Sequence, residues 1–283
     1  MADERKLFTA TNDYIFKAMM VRNADLLQDL LSAVFPKLAA ECQEITYTNP
    51  DLLPYDKDKK RATLDVKLVT ANKNVIDIEV QVDNKPGLSR RMLFYIGKIY
   101  GDELASGSAY TVLNRAISLW ICKFNVFEDD ACMHSFAYYD SEHGIPFPDS
   151  PEIVILEIPK FAQAHPHLNL WLKFLDASTE EEFMELAQQT PVMNKAWNVI
   201  ASLNADDRER AIADAYDRAR WDEFFTREGA FKEGKAEGKA EGIAEGVILR
   251  NREIARAMLA AGEPRAKILQ FSRLTEEELD KLI

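Results

Sequence analysis

Residues 61–82, RATLDVKLVTANKNVIDIEVQV, decide the fold class. In the first half Ala62, Leu64, Val66 and Leu68 take one face, and Thr63, Asp65 and Lys67 take the other. In the second, Ile76, Ile78, Val80 and Val82 alternate with Asp77, Glu79 and Gln81. A period of two in runs rich in β-branched residues, split by the polar stretch TANKN (70–74), predicts a β-hairpin. With Asn72 at the centre of the turn, the register that keeps both apolar rows on one face sets Asp65 opposite Glu79. It also sets Lys67 opposite Asp77 and Thr63 opposite Gln81.

Working outward, Thr11, Asn12 and Asp13 can cap a helix whose apolar residues run from Ile15 to Val34, with Pro36 marking its exit. A short strand is expected over 43–48. Beyond the break at Lys85-Pro86-Gly87 a helix is expected over 89–104, then strands over 115–123, 131–139 and 152–158. After Pro159 the pattern is helical to the end. The predicted class is α/β, with an all-helical C-terminal extension. The expected parts are an α/β domain over 1–160, a helical extension over 161–228 and a glycine-striped helical tail over 229–283.

That tail carries the repeat EGKAEGKAEGIAEG, which spaces Gly234, Gly238, Gly242 and Gly246 four apart. Each glycine costs a helix interior about 1 kcal/mol relative to alanine. The stripe is therefore sensible where a second backbone packs against it, as in a homo-oligomer; the other reading is a flexible linker. Residues 251–283 read as two short helices divided by Gly262-Glu263-Pro264, with Thr275 and Glu278 as a capping pair.

The chain has 283 residues, 47% of them hydrophobic and 29% charged, and a net charge of −12. That balance argues against a protein that coats nucleic acid or anionic lipid by charge alone. Most of the excess acid lies after residue 110, so it says little about what the first part binds. Cys42, Cys122 and Cys132 have no metal-type spacing, which argues against a disulfide scaffold or a cysteine-based zinc site. No stretch approaches the roughly 18 apolar residues of a membrane span. A reduced, cytoplasmic setting with no membrane contact is expected.

The chemistry lies in the hairpin. Side chains opposed across an antiparallel pair have Cβ atoms about 4.5–5.5 Å apart, so Asp65 and Glu79 would repel unless a cation sits between them or one keeps a proton. An oxygen-rich set without histidine suits Mg²⁺ or Mn²⁺, and such an ion accepts phosphate oxygens. The competing reading is that these acids are only the solvated face of an amphipathic hairpin.

Asp65, thirteen residues, and then Glu79-Val80-Gln81 resembles the D…(D/E)-x-K core of the PD-(D/E)XK nuclease superfamily. More narrowly, NDYIFKAMM (12–20), LDVKL (64–68), VIDIEVQ (75–81), RRMLFYIGKIYGDELASGSAY (90–110) and the terminal EGKAEGKAEG (233–242) resemble, in that order, the Rpn family of recombination-promoting nucleases. The resemblance implies an αβββαβ core with a mixed sheet and Mg²⁺-dependent endonucleolytic cleavage of DNA. It implies Asp65 and Glu79 as metal ligands, with Asp13 as a third acid. Gln81 stands where the superfamily has lysine; it can orient water but cannot supply positive charge. Lys67, on the same expected face, is the candidate replacement, its alternative being a cross-strand ion pair with Asp77.

Weaker candidates surround this pair. Arg90 and Arg91 could contact phosphates or form a solvated helix face. Lys57, Lys59, Lys60 and Arg61 are interleaved with Asp56 and Asp58. Tyr95 and Tyr100 read as core or rim aromatics, and His165 and His167 lack a third metal ligand. Two rival readings stand beside the nuclease: a nuclease fold without catalysis that binds or assembles, and a helical interaction protein in which the hairpin is incidental.

Overall fold

The computed structural model describes residues 5–48, 66–103, 109–110 and 113–282. Helix α1 (Asp13–Arg22) starts where the sequence predicts, with the Asn12 side chain accepting from the N–H groups of Tyr14 and Ile15 at 3.1 Å each. The single helix expected to reach Val34 is two, because α2 (Ala24–Val34) begins after a break at Asn23. There the Asn23 amide donates to the Met19 carbonyl at 3.0 Å, and the backbone leaves helical space at φ −134°, ψ 80°. A side chain that bonds back to the preceding turn competes with helix continuation.

Strand β1 (Ile45–Tyr47) leads into the hairpin of β2 (Val66–Thr70) and β3 (Val75–Gln81). The observed pairing is antiparallel and joins Val66 to Ile78, Lys67 to Asp77 and Leu68 to Ile76, as the alternation predicts. Helix α3 (Leu88–Asp102) follows Gly87, whose φ of 81° is one that glycine adopts without strain. Next come β4 (Ala116–Cys122), β5 (Met133–Phe136) and β6 (Glu152–Glu157). The six strands lie in the order β1-β2-β3-β4-β6-β5. The β3–β4 and β4–β6 pairs are parallel and the others antiparallel, so the sheet is mixed.

The two faces of the sheet have different covers. Val66, Leu68, Ile76, Ile78 and Val80 share a core with α1, α2 and the helices α4 (Pro166–Asp176), α5 (Glu180–Ala187) and α6 (Pro191–Ala205). Val75, Trp120, Cys122, Ile153 and Ile155 point the other way, against Leu88, Met92, Tyr95, Ile96 and Ile99 of α3. The reading of the β3 acids as a solvated face is thereby corrected: all seven residues of β3 are buried, on a sheet face that α3 covers chiefly along β4 and β6. The last helix of this part, α7 (Asp207–Ala260), is 54 residues long. By packing, the chain divides into Met1–Arg218 and Ala219–Ile283, with α4 to α6 in the first unit.

In the second unit α7 continues through the glycine repeat. Alanine Cβ atoms placed at Gly234, Gly238, Gly242 and Gly246 would meet nothing within 4 Å, so no backbone among the described residues packs on the stripe. The end of α7, α8 (Arg265–Ser272) and α9 (Glu276–Asp280) enclose a small core of Ala255, Ile268, Leu274 and Leu279. Two turns shape it, one at Gly262 (φ 72°) and one at Arg273 (φ 56°). The second splits what reads as one terminal helix into two, and Thr275 and Glu278 form the expected capping box on α9.

Candidate active site

The strand row that faces α3 carries Asp77, Glu79 and Gln81, beside Ser118 and Trp120 of β4 in register. Asp77 is fully buried and Glu79 is 2% exposed. Burying a carboxylate is costly unless charge and hydrogen bonds compensate it. Arg91, near the start of α3, supplies part of that compensation: Nη2 donates to Glu79 Oε2 at 3.3 Å and Nη1 to Gln81 Oε1 at 3.0 Å. Its guanidinium carbon stands 5.0 Å from the Tyr95 ring centre and 5.4 Å from that of Trp120, both within cation–π range. Gln81 is held from its other end too, its amide nitrogen donating to the Val80 carbonyl at 2.8 Å. Asp77 accepts from Ser118 Oγ at 3.4 Å, and Ser118 in turn accepts from the Trp120 indole at 2.8 Å.

The expected residues fare differently. Asp65 lies outside the described residues, as do Lys57, Lys59, Lys60 and Arg61. Lys67 is opposite Asp77 in register, but its ammonium pairs with Glu103, the residue after α3, at 3.0 Å. Asp13 opens α1, whose buried residues pack on the sheet face opposite Glu79. Tyr95 is a core aromatic tilted against Trp120, and Arg90 is exposed. His165 caps α4 and bonds the Ala33 carbonyl, while His167 meets Asp29, so both serve the fold. Trp120 was not joined to this site by sequence reading, and Arg91, expected there as a phosphate contact or a solvated residue, instead pairs with Glu79 and Gln81. The available signal was Arg91 and Tyr95 one helical turn apart, directly after a strand ending in Gln81.

Carboxylate and amide oxygens are the donor type that a hard divalent ion takes. Among the described residues no group of three or more His, Cys, Asp or Glu could hold a metal ion. Glu79 is a carboxylate of that donor type, buried and engaged by Arg91 at one oxygen. Among them, too, no helix is long and apolar enough to cross a membrane.

A mixed six-stranded sheet with helices on both faces, followed by a helical extension, is the architecture expected of a PD-(D/E)XK core. The family model of PD-(D/E)XK nuclease family transposases matches residues 10–230, most of the chain, and the chain belongs to that family. Residues 250–283 match the C-terminal HTH domain of the Rpn/YhgA-like nuclease family, in agreement with the three helical segments around Ile268 and Leu279. Sequence reading found those helices but attached no function to them. No curated protein and no solved structure matches the chain.

Proposed function

We propose that this chain is a Mg²⁺- or Mn²⁺-dependent endonuclease that hydrolyses DNA phosphodiester bonds in the service of recombination or mobile elements. The observation that carries the reading is the β2–β3 register, observed from the Val66–Ile78 pair onward, since the same register sets Asp65 against Glu79 in the sequence argument. Family membership supports the same chemistry.

Asp65 and Glu79 are assigned as the carboxylates that hold the ion. The third expected acid, Asp13, belongs to a helix on the other side of the sheet and is given no ligand role. Held by these two carboxylates, such an ion would supply Lewis-acid chemistry, activation of water and neutralisation of phosphate charge. Gln81, restrained by Arg91 and the Val80 carbonyl, orients the attacking water by hydrogen bonding. Lys67, already engaged by Glu103, takes no catalytic part. DNA is the partner, with the C-terminal HTH region as a second contact. Three free, buried thiols suit a reducing compartment, and the reading assigns the chain to the cytoplasm.

The test is nicking of supercoiled plasmid in Mg²⁺ by the full chain, Asp65→Ala and Glu79→Ala. Both variants should be inactive; undiminished cleavage by either removes the site assignment. One observation favours a second reading, a nuclease fold that binds or assembles without cutting: Glu79 is almost fully buried and engaged by an arginine. In that case Mn²⁺ would raise the melting temperature while the plasmid stays intact.

A further inference from the structure

We propose that Arg91 is a resident counter-ion of this carboxylate site, occupying Glu79 while no divalent ion is bound and competing with that ion for the same oxygens. The inference rests on the metal-dependent reading above and deepens it. Three observations carry it. Glu79 is 2% exposed, so its charge has to be met from within the protein. Arg91 meets it in a fork, one arm on Glu79 Oε2 and the other on Gln81 Oε1, a planar geometry that a lysine ammonium lacks. The guanidinium also lies against both rings of the Tyr95–Trp120 pair, 5.0 and 5.4 Å from their centres, so its place is built and not incidental.

Position 81 explains why a cation is needed from the helix. A lysine there would bring positive charge along the strand; the glutamine instead presents an oxygen, and Arg91 approaches that oxygen. Lys67 does not fill the role, because its ammonium is engaged by Glu103. Arg91 is thus a positioning residue that acts through Glu79 and Gln81. Its side chain, 37% exposed, has a route toward solvent when a dication takes over the Glu79 carboxylate.

Competition has a distinctive signature. Arg91→Gln removes the guanidinium charge beside Glu79, so the ion-free protein should melt at a lower temperature. The Mn²⁺ concentration for half-maximal thermal stabilisation should fall by about tenfold, the effect of one unit charge a few Å from a dication even at the dielectric of water. Saturating Mn²⁺ should recover most of the lost melting temperature, which a purely structural arginine would not allow. Arg91→Lys keeps the charge and should leave the Mn²⁺ midpoint close to that of the unmodified chain. In the ion-free state, Glu79→Gln combined with Arg91→Gln should be more stable than Arg91→Gln alone.

The outcomes separate. If the unmodified chain shows no Mn²⁺ stabilisation, or Glu79→Gln keeps all of it, the metal site falls and this proposal with it. If the unmodified chain responds, Glu79→Gln does not, and Arg91→Gln leaves the midpoint unchanged or raises it, Arg91 is no competitor and only this proposal is overturned.

Discussion

Arg91 donates to Gln81 Oε1 across 3.0 Å, which makes position 81 an acceptor in this protein. Restoring the superfamily's lysine is therefore not a repair. Gln81→Lys would set an ammonium against a guanidinium and remove the acceptor, and is expected to cost about 1–3 kcal/mol of stability with no gain in nicking. Gln81→Lys combined with Arg91→Gln should regain much of that loss. Urea unfolding of the three proteins measures it; a neutral Gln81→Lys would mean that the contact has little weight.

Glu157, at the end of β6, is fully buried and accepts from the N–H groups of Val126 and Phe127 at 2.6 and 3.2 Å. Lys160 pairs with it at 2.9 Å, and His134 Nδ1 stands at 3.2 Å. Glu157→Ala would leave two backbone donors without their acceptor and take from the nearly buried Lys160 ammonium its nearest carboxylate, leaving it the Phe127 carbonyl and Asp129. A loss of about 3–5 kcal/mol is expected, together with faster amide exchange at Val126 and Phe127.

On the other layer, Asp29 Oδ1 accepts from the buried Trp171 indole at 2.7 Å and stands 2.8 Å from His167 Nε2. Removing the carboxylate leaves an indole N–H without its acceptor. Asp29→Ala should lower stability by about 1–3 kcal/mol and shift the near-ultraviolet signal of Trp171, without touching metal binding.

Burial disfavours the thiolate at every cysteine, raising Cys42 to about 11 and Cys122 to about 12 from an ordinary value of 9.0. A folded-state pKa above the unfolded one stabilises the protein below the unfolded value, and that contribution is lost as pH rises through the folded one. Stability should thus decline from about pH 9 towards pH 12 as thiols of the unfolded chain ionise first. At neutral pH an aromatic disulfide reagent should label Cys42 and Cys122 only after denaturant is added. Rapid labelling of the folded chain would contradict their burial.

In the glycine repeat, Gly238→Ala and Gly242→Ala should each stabilise the helix by about 1 kcal/mol, since a Cβ at either position meets nothing within 4 Å. Helicity against temperature reports it. A loss of helicity, with a change in molecular mass in solution, would instead reveal a second chain packed on that stripe.

Local signals in the sequence were enough for most of the elements and for the pairing of the β2–β3 hairpin. Alternation in LDVKL and VIDIEVQ determined the hairpin and its register, because a slip of one residue would turn every apolar side chain outward. Asn12 and the Thr275–Glu278 pair marked their helix starts, because capping needs only a side chain and the next turn of backbone. The break at Asn23 was less legible, since the apolar spacing runs through it and only one amide contact interrupts the helix.

What surrounds the polar row was decided by tertiary structure alone. Strand periodicity separates two faces but does not say which of them meets water; that depends on which helix lands there. Here α3 packed its apolar side on the same sheet face, chiefly along β4 and β6, and set Arg91 against Glu79, Gln81 and the Trp120 ring. Glu103 drew Lys67 away from the role the spacing suggested. The carboxylates were written in the chain, but their burial and their cation come from other elements of the fold, because solvation and charge pairing depend on distance in space and not on spacing along one strand.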